Sequence, residues 1–452
     1  MTEHASSEHR AVLASEAFVV GFPLVFDLEQ VDRFTRVGMG ALPATPYNVF
    51  GHARKLAGPG DAFVSINNDT VYSIAQVDLG AGPILLSVPD AGERYHVLQF
   101  VDAWTNNFAY VGTRATGNRA GEFLLVPPGW QREHPEGVAS PTVPVIHFPT
   151  RIATIVGRWA VDGEDDLPAA HRLQDALSLT PVLRSLVKPA GVLPVAAAAS
   201  EALTFFERMR VWSQAFPPAE RDRVALASYE ELGLTGEQPV DSLPEEITRA
   251  LEAGYSVGRD ALEASLRTST PTVDGWQANL HAFDYNVDFF EVGTIDTPAW
   301  RLADPKIRFA HRAGAALGGL WGNHAYEAAY FATYEDADGG RLSGEHVYRL
   351  RLHPTPPVGA FWSLTMYDIP HYYLVANPAG RYSVGDRTRG LVYDEDGGLT
   401  ITMSTTRPTD ERAAANWLPA PEGEFRPMLR MYAPGEDVLT GVYRPAAIER
   451  VG

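Results

Sequence analysis

No cysteine occurs anywhere in the chain, which excludes disulfides, thiolate metal sites, iron–sulfur clusters and cysteine nucleophiles. Basic residues are scarce as well: 37 lysines and arginines against 56 aspartates and glutamates leave a net charge of −19 over 452 residues. That acidic excess is spread along the chain and repels polyanions, so neither nucleic acid nor an anionic membrane is expected as a partner. Long hydrophobic runs are missing too. The longest uncharged apolar stretch near the start, Ala17 to Phe26, is shorter than a bilayer span, contains Pro23 and follows Glu3, Glu8 and Glu16 rather than a basic segment. No signal peptide is expected, and a cytoplasmic location follows as the default.

The familiar catalytic signatures are also absent. There is no Gly-x-Ser-x-Gly elbow, no His-Glu-x-x-His, no phosphate-cradling Gly-x-x-x-x-Gly-Lys and no dinucleotide Gly-x-Gly-x-x-Gly after a strand. No cofactor is expected on that ground. The 13 histidines are dispersed; His324, His346, His353 and His371 come nearest to a group and read as ordinary surface and core residues, so no metal is expected. Asp336 to Gly340 and Asp394 to Gly398 resemble the front of calcium loops, but the twelfth positions are Val347 and Thr405, and both stretches read as hairpin turns.

What the chain does contain is polarity where a core should form. Asn67-Asn68-Asp69-Thr70-Val71-Tyr72 opens one β-prone run, and Asp102-Ala103-Trp104-Thr105-Asn106-Asn107 closes another, Arg94 to Val101. Strand alternation would place His96, Leu98, Phe100, Asp102 and Trp104 on one face. A buried Asp102 needs donors, which Asn106 or Asn67 can supply. Asn-Asn-Asp-Thr and Thr-Asn-Asn are equally good turn formers. The clusters therefore read either as turns or as one hydrogen-bonded site.

Taken in order, the apolar spacing predicts two short helices at 15–21 and 28–37, separated by Pro23 and packed on a sheet. Seven β-prone runs follow between Ala62 and Asp162, the first at 63–66, and predict an antiparallel sandwich or barrel-like sheet. The last, at 152–161, puts Arg158 on the face of Ile152, Thr154 and Val156, where it would need a carboxylate such as Asp102 or Asp69. From 165 to 279 the spacing turns helical. A further helix is expected over 305–330, with Ile307, Ala310, Ala313, Leu317, Leu320 and His324 in one stripe. Strands return after Tyr334, at 346–352, 360–367, 390–393 and 399–405. Within Phe361 to Asp368, alternation sets Ser363, Thr365 and Tyr367 against Trp362, Leu364, Met366 and Asp368.

The first two polar clusters resemble the family called domain of unknown function 1254. Phe361 to Asp368, Asn377, Arg381-Tyr382-Ser383, Asp386-Arg387-Thr388 and Asn416-Trp417-Leu418-Pro419-Ala420-Pro421 resemble its usual companion, domain of unknown function 1214. The resemblance spans roughly residues 15–450. It implies a two-domain, largely β protein with a helical insertion and a jelly-roll-like C-terminal half, and export for many relatives, although this chain shows no leader. It does not imply a reaction.

The expected fold is therefore α+β and mainly β: an N-terminal antiparallel β domain (15–165), a helical segment (166–333) and a C-terminal jelly-roll-like β-sandwich (334–452). The expected function is acid–base chemistry, hydrolysis or elimination, on a small organic molecule held between the two β domains. Asp102 is the expected acid or base, Tyr72 or Tyr367 the proton donor, and Arg158 or Arg381 the stabiliser of negative charge. Asn67, Asn68, Asp69, Asn106 and Asn107 would orient the substrate, with Trp104, Trp362 and Trp417 as apolar walls. The alternative is a non-catalytic protein binding a small molecule or carbohydrate. A homo-oligomer is left open.

Overall fold

The computed structural model describes residues 3–61, 65–131, 142–182, 188–268 and 272–451, without the side chains of 3–6 and 266–268. Among these residues the chain forms two β-sandwiches joined by a helical layer, an α+β and mainly β architecture. The first sandwich packs a five-stranded sheet, in the spatial order Gly51–His52, Thr70–Asp78, Ile152–Ala160, His96–Asp102, Asn107–Gly112, against a four-stranded sheet, Ser178–Pro181, Ile84–Val88, Gly121–Val126, Val145–His147. Alternation decides its core: Val71, Ala75, Leu98, Phe100, Ile155 and Trp159 from one sheet meet Ile84, Leu86, Phe123, Leu125 and Ile146 from the other.

The second sandwich is built in the same way. Its six-stranded sheet runs Thr272–Val273, Trp276–Ala278, Ala328–Ala332, Phe425–Pro434, Val358–Asp368, Ser383–Gly385, and faces a four-stranded sheet made of Trp417–Pro419, Leu399–Ser404, Tyr348–Leu352 and Glu449–Arg450. Leu364, Met366, Leu429 and Met431 bury against Leu350, Ile401 and Met403. The expected strand at 390–393 does not form; at 63–66 residues 63 and 64 lie outside the described residues, and 65 and 66 are not in a strand.

Six helices of eight residues or more complete the fold: α1 (Glu3–Arg36), α2 (Leu167–Ala176), α3 (Glu201–Ala215), α4 (Glu220–Ala227), α5 (Glu245–Thr268) and α6 (Pro305–Gly319); two shorter ones, Glu411–Ala415 and Glu436–Leu439, lie in the C-terminal half. The two short helices expected around Pro23 are one continuous helix. The reason lies in the apolar stripe: Ala14, Ala17, Phe18, Leu24, Val25, Leu28, Val31 and Phe34 are all buried and keep helical phase across the proline, so packing outweighs the lost hydrogen bond. Most of α1 packs on helices rather than a sheet, in one core with α3, α5 and α6. Gly254 and Gly258 of α5 let α1 approach closely; a Cβ on Gly254 would lie 2.4 Å from the Ala14 Cβ. The C-terminal end of α1, at Phe34, shares an apolar cluster with Ile74, Val101 and Val156 of the five-stranded sheet. By length and composition α1 is apolar enough to cross a membrane, contrary to the expectation drawn from residues 17–26 alone, and its apolar stripe is here turned into the helical core.

Helix α6 also departs from expectation. It stops at Gly319, and its buried face carries Arg308, Phe309, Arg312, Ala313 and Ala316 while Ile307 is exposed. The two arginines are drawn inward by Asp222 of α4, which bonds both, Arg312 at 3.2 Å. Counting apolar residues alone shifted the stripe by about one position. Beyond α6, Trp321 takes a positive φ of 60° and the chain turns toward the space between the sandwiches.

Candidate functional site between the sandwiches

Each large sheet has a second face, and these two faces meet. Hydrogen bonds from the second sheet to the segment just before the strand Thr70–Asp78 fix the approach: the Ser363 hydroxyl donates to Asp69 Oδ2 (2.6 Å), the Tyr367 hydroxyl to the Ile66 carbonyl (2.6 Å) and Arg430 Nη2 to the Ser65 carbonyl (2.7 Å). Tyr95 and Val97 of the first sheet share an apolar cluster with Phe361 and Tyr432 of the second.

On the N-terminal side, Tyr72 and Arg158 are cross-strand partners, and the guanidinium lies 5.5 Å from the tyrosine ring centroid. The Tyr72 hydroxyl accepts from Asn67 Nδ2 at 2.7 Å. Asn67 is itself fixed, because its Oδ1 accepts from the Asp69 and Thr70 amides and the Thr70 hydroxyl, the turn its sequence suggested. Arg158 does not meet a carboxylate. It donates to Gln99 Oε1 (2.8 Å), Asn323 Oδ1 (3.3 Å) and the Trp321 carbonyl (2.8 Å). Burial would lower the basicity of Arg158, but Tyr72 and Tyr330 outweigh it and hold the group above its ordinary range.

The C-terminal wall is a row across three strands: Tyr330, Arg430 and Ser363 are register partners, with Tyr432 and Phe361 one row further. Arg430 is buried at 3% exposure. Burial again opposes its charge, and Tyr367, Tyr432 and Asp69 more than restore it. Tyr330 lies within electrostatic reach of Arg158, Tyr72 and Arg430, which places the two walls around it. Burial raises the Tyr330 and Tyr432 phenols, so both stay protonated.

The two polar clusters do connect, although not through Asp102. Asn107 Oδ1 accepts from Gln99 Nε2 (2.6 Å), and Gln99 leads on to Arg158, Tyr72 and Asn67. Asp102 and Asn106 serve the opposite direction. The carboxylate closes a turn by accepting from the Trp104 and Asn106 amides and from Asn106 Nδ2, each at 2.9 Å, while Asn106 Oδ1 accepts from Arg312. Burial pushes Asp102 up to about 6 against those hydrogen bonds. The strand ends at this turn, so Trp104 does not continue its face; the indole docks into the helical core and donates to the Phe216 carbonyl at 2.7 Å.

The remaining expected residues separate in the same way. Asp69 and Tyr367 lie at the interface. Asn68 is tied to the Ala57 carbonyl and, with Asp69, Trp362, Ser363 and Arg387, lines a cleft of about 130 Å³ beside the site. Trp362 alternates away from Ser363 into the C-terminal core. Arg381 donates to the Ala415 and Trp417 carbonyls, and Trp417 belongs to the outer four-stranded sheet, with its indole on the Ser404 carbonyl. Both stand apart from the facing walls.

Arg430, Tyr432, Tyr330, Asn323 and Gln99 escaped the sequence reading. The strand Phe425–Pro434 did carry a legible signal: Arg426, Arg430 and Tyr432 alternate with Phe425, Leu429 and Met431, a two-residue period interrupted by Pro427. Asn323 carried none, since a loop residue after a helix is placed by the tertiary fold alone. Among the described residues no group of three His, Cys, Asp or Glu side chains stands ready for a metal.

Residues 47–181 match the family described as protein of unknown function DUF1254, and residues 327–436 that described as protein of unknown function DUF1214. The chain belongs to the proteins that pair these two domains. The VPA0106 protein of Vibrio parahaemolyticus shares the fold, with a TM-score of 0.73 and 24% identity over 98% of this chain and 100% of its own. An uncharacterised protein from Burkholderia cenocepacia aligns at a TM-score of 0.43 and 12% identity, over 99% of this chain and 95% of its own. No curated protein matches.

Proposed function

We propose that this protein is an enzyme that acts on a small organic molecule by acid–base chemistry, hydrolysis or elimination, between the two sandwiches. The observation that carries this reading is Tyr72. Its hydroxyl oxygen already accepts from a fixed amide, Asn67 Nδ2, which leaves its own proton free to point toward a bound molecule, while Arg158 beside it offsets negative charge that develops as the proton moves. Tyr72 therefore takes the proton-donor role, and Asp102, with both oxygens engaged in its turn, does not. The Tyr367 hydroxyl donates its hydrogen bond to the Ile66 carbonyl and serves as a strut between the domains.

The test is consumption of metabolites from a cell extract, followed by mass spectrometry, for wild type and Tyr72→Phe. At least one small molecule should disappear with the wild type and persist with the variant; equal consumption by both would overturn the assignment. A non-catalytic binding protein is the second reading, favoured by one feature: the carboxylate closest to the site, Asp69, is held by Ser363 rather than free to act as a base. That reading predicts retention of a molecule by both proteins and consumption by neither.

A further inference from the structure

Arg158, Arg426 and Arg430 all reach this interface, are nearly buried, and make no ion pair with a carboxylate among the described residues. The neighbouring carboxylates are Glu327, which pairs with Arg114, and Asp69, which accepts from Ser363. Asp69 lies within electrostatic reach of Arg430 but not in contact with it; buried guanidinium groups without a carboxylate in contact are costly, and a fold that keeps them ordinarily supplies an opposite charge. Three donors on the same walls are also without partners although buried: Arg430 Nη1, Asn323 Nδ2 and Thr365 Oγ1. They are not scattered. Arg430 pairs with Ser363, two residues before Thr365 on the same strand face, and Asn323 bonds Arg158 through its oxygen and has the Tyr330 hydroxyl in reach of its amide, which leaves one amide hydrogen for something else. Unmet donors from Arg430, Asn323 and Thr365 beside the further cations Arg158 and Arg426 describe the complement of a planar oxyanion.

We propose that the buried site takes a small organic carboxylate, held by Arg430 Nη1 and Asn323 Nδ2 with Thr365 Oγ1 beside them, so that the rest of the molecule faces Tyr72. This rests on the reading of the site as one for a small molecule, and it names the chemical class. The arrangement favours a carboxylate over an uncharged carbonyl compound, because only the former brings a negative charge into direct contact with the arginines. It also separates the roles of the walls: the C-terminal sheet anchors, and the N-terminal sheet carries the group that exchanges a proton.

The smallest carboxylate probes this without knowledge of the natural ligand. Melting temperature is measured in sodium acetate and in sodium chloride at equal ionic strength, with acetamide as the neutral isostere, for wild type, Arg430→Met and Asn323→Ala. Acetate should raise the wild-type melting temperature by about 1–2 °C in a saturable way, acetamide should not, and both variants should lose the increment. Asn323→Ala alone carries the comparison if Arg430→Met does not fold. Equal effects of acetate and acetamide would overturn the carboxylate while leaving a small-molecule site standing. No acetate increment, one that survives in the variants, or a larger one from inorganic phosphate would overturn the proposal as well. Acetate binding without metabolite consumption would instead count against the catalytic reading alone.

Discussion

Ser363 and Asp69, 294 residues apart in the chain, are joined by a 2.6 Å hydrogen bond from hydroxyl to carboxylate, and both side chains are buried. The Asp69 backbone carbonyl is held from the same domain by Arg387. Removal of the hydroxyl in Ser363→Ala leaves a buried carboxylate oxygen short of a donor. The expected loss is about 1–3 kcal/mol of stability, read as a lower urea midpoint; an unchanged midpoint would show that water replaces the hydroxyl freely.

Asp102 and Tyr72 should respond in opposite ways to conservative replacement where turnover is concerned. Asp102→Asn sets an amide nitrogen against Asn106 Nδ2, whose own oxygen is committed to Arg312, and should cost about 1–3 kcal/mol with turnover per folded molecule retained. Tyr72→Phe leaves Asn67 Nδ2 without its acceptor, which should cost about 1–3 kcal/mol as well, but it should abolish turnover per folded molecule. Thermal melts run beside the metabolite-consumption assay separate the two, and loss of turnover in Asp102→Asn at full stability would return the catalytic role to the carboxylate.

Asp222 holds the helical layer to the turn after Asp102, because it bonds both Arg308 and Arg312, and Arg312 continues to Asn106. Asp222→Ala strands two guanidinium groups at 2% exposure each. A loss of about 3–5 kcal/mol is expected, visible in equilibrium unfolding; a loss below 1 kcal/mol would mean that the arginines find other partners.

His96 gives the fold acid sensitivity. Its ring stacks on Trp159 at a centroid distance of 5.0 Å, and burial lowers its pKa to about 4. Between the ordinary histidine value and 4 the folded state binds fewer protons than the unfolded, so this contribution is fully present above about 6.5 and is lost as pH falls toward 4. His96→Phe keeps the stack and removes the titration. The slope of stability against pH in that window should flatten by about 1.4 kcal/mol per pH unit, and a slope identical to wild type would refute the assignment to His96.

Local pattern and tertiary context divided the information unequally. The period-two alternation of Val71 to Val77, Arg94 to Val101, Ile152 to Val161 and Phe361 to Asp368 depends on side chains a few residues apart, and it made both the mainly β class and the split of Ser363, Thr365 and Tyr367 from Trp362, Leu364 and Met366 legible from the chain alone. The turn chemistry of Asn67 was legible for the same reason, since its partners are its immediate neighbours. What lay beyond the sequence were choices of partner at long range. Pro23 sits inside a helix because α3, α5 and α6 bury the stripe on both sides of it. Arg158 ends on Gln99 and Asn323 rather than on Asp102, because the turn after Val101 spends that carboxylate locally and a loop 165 residues away supplies the alternative. Arg430 and Asn323 became candidates for the site only when two sheets, each specified by its own alternation, were brought face to face; one-dimensional spacing carries no record of which outward face another domain will cover.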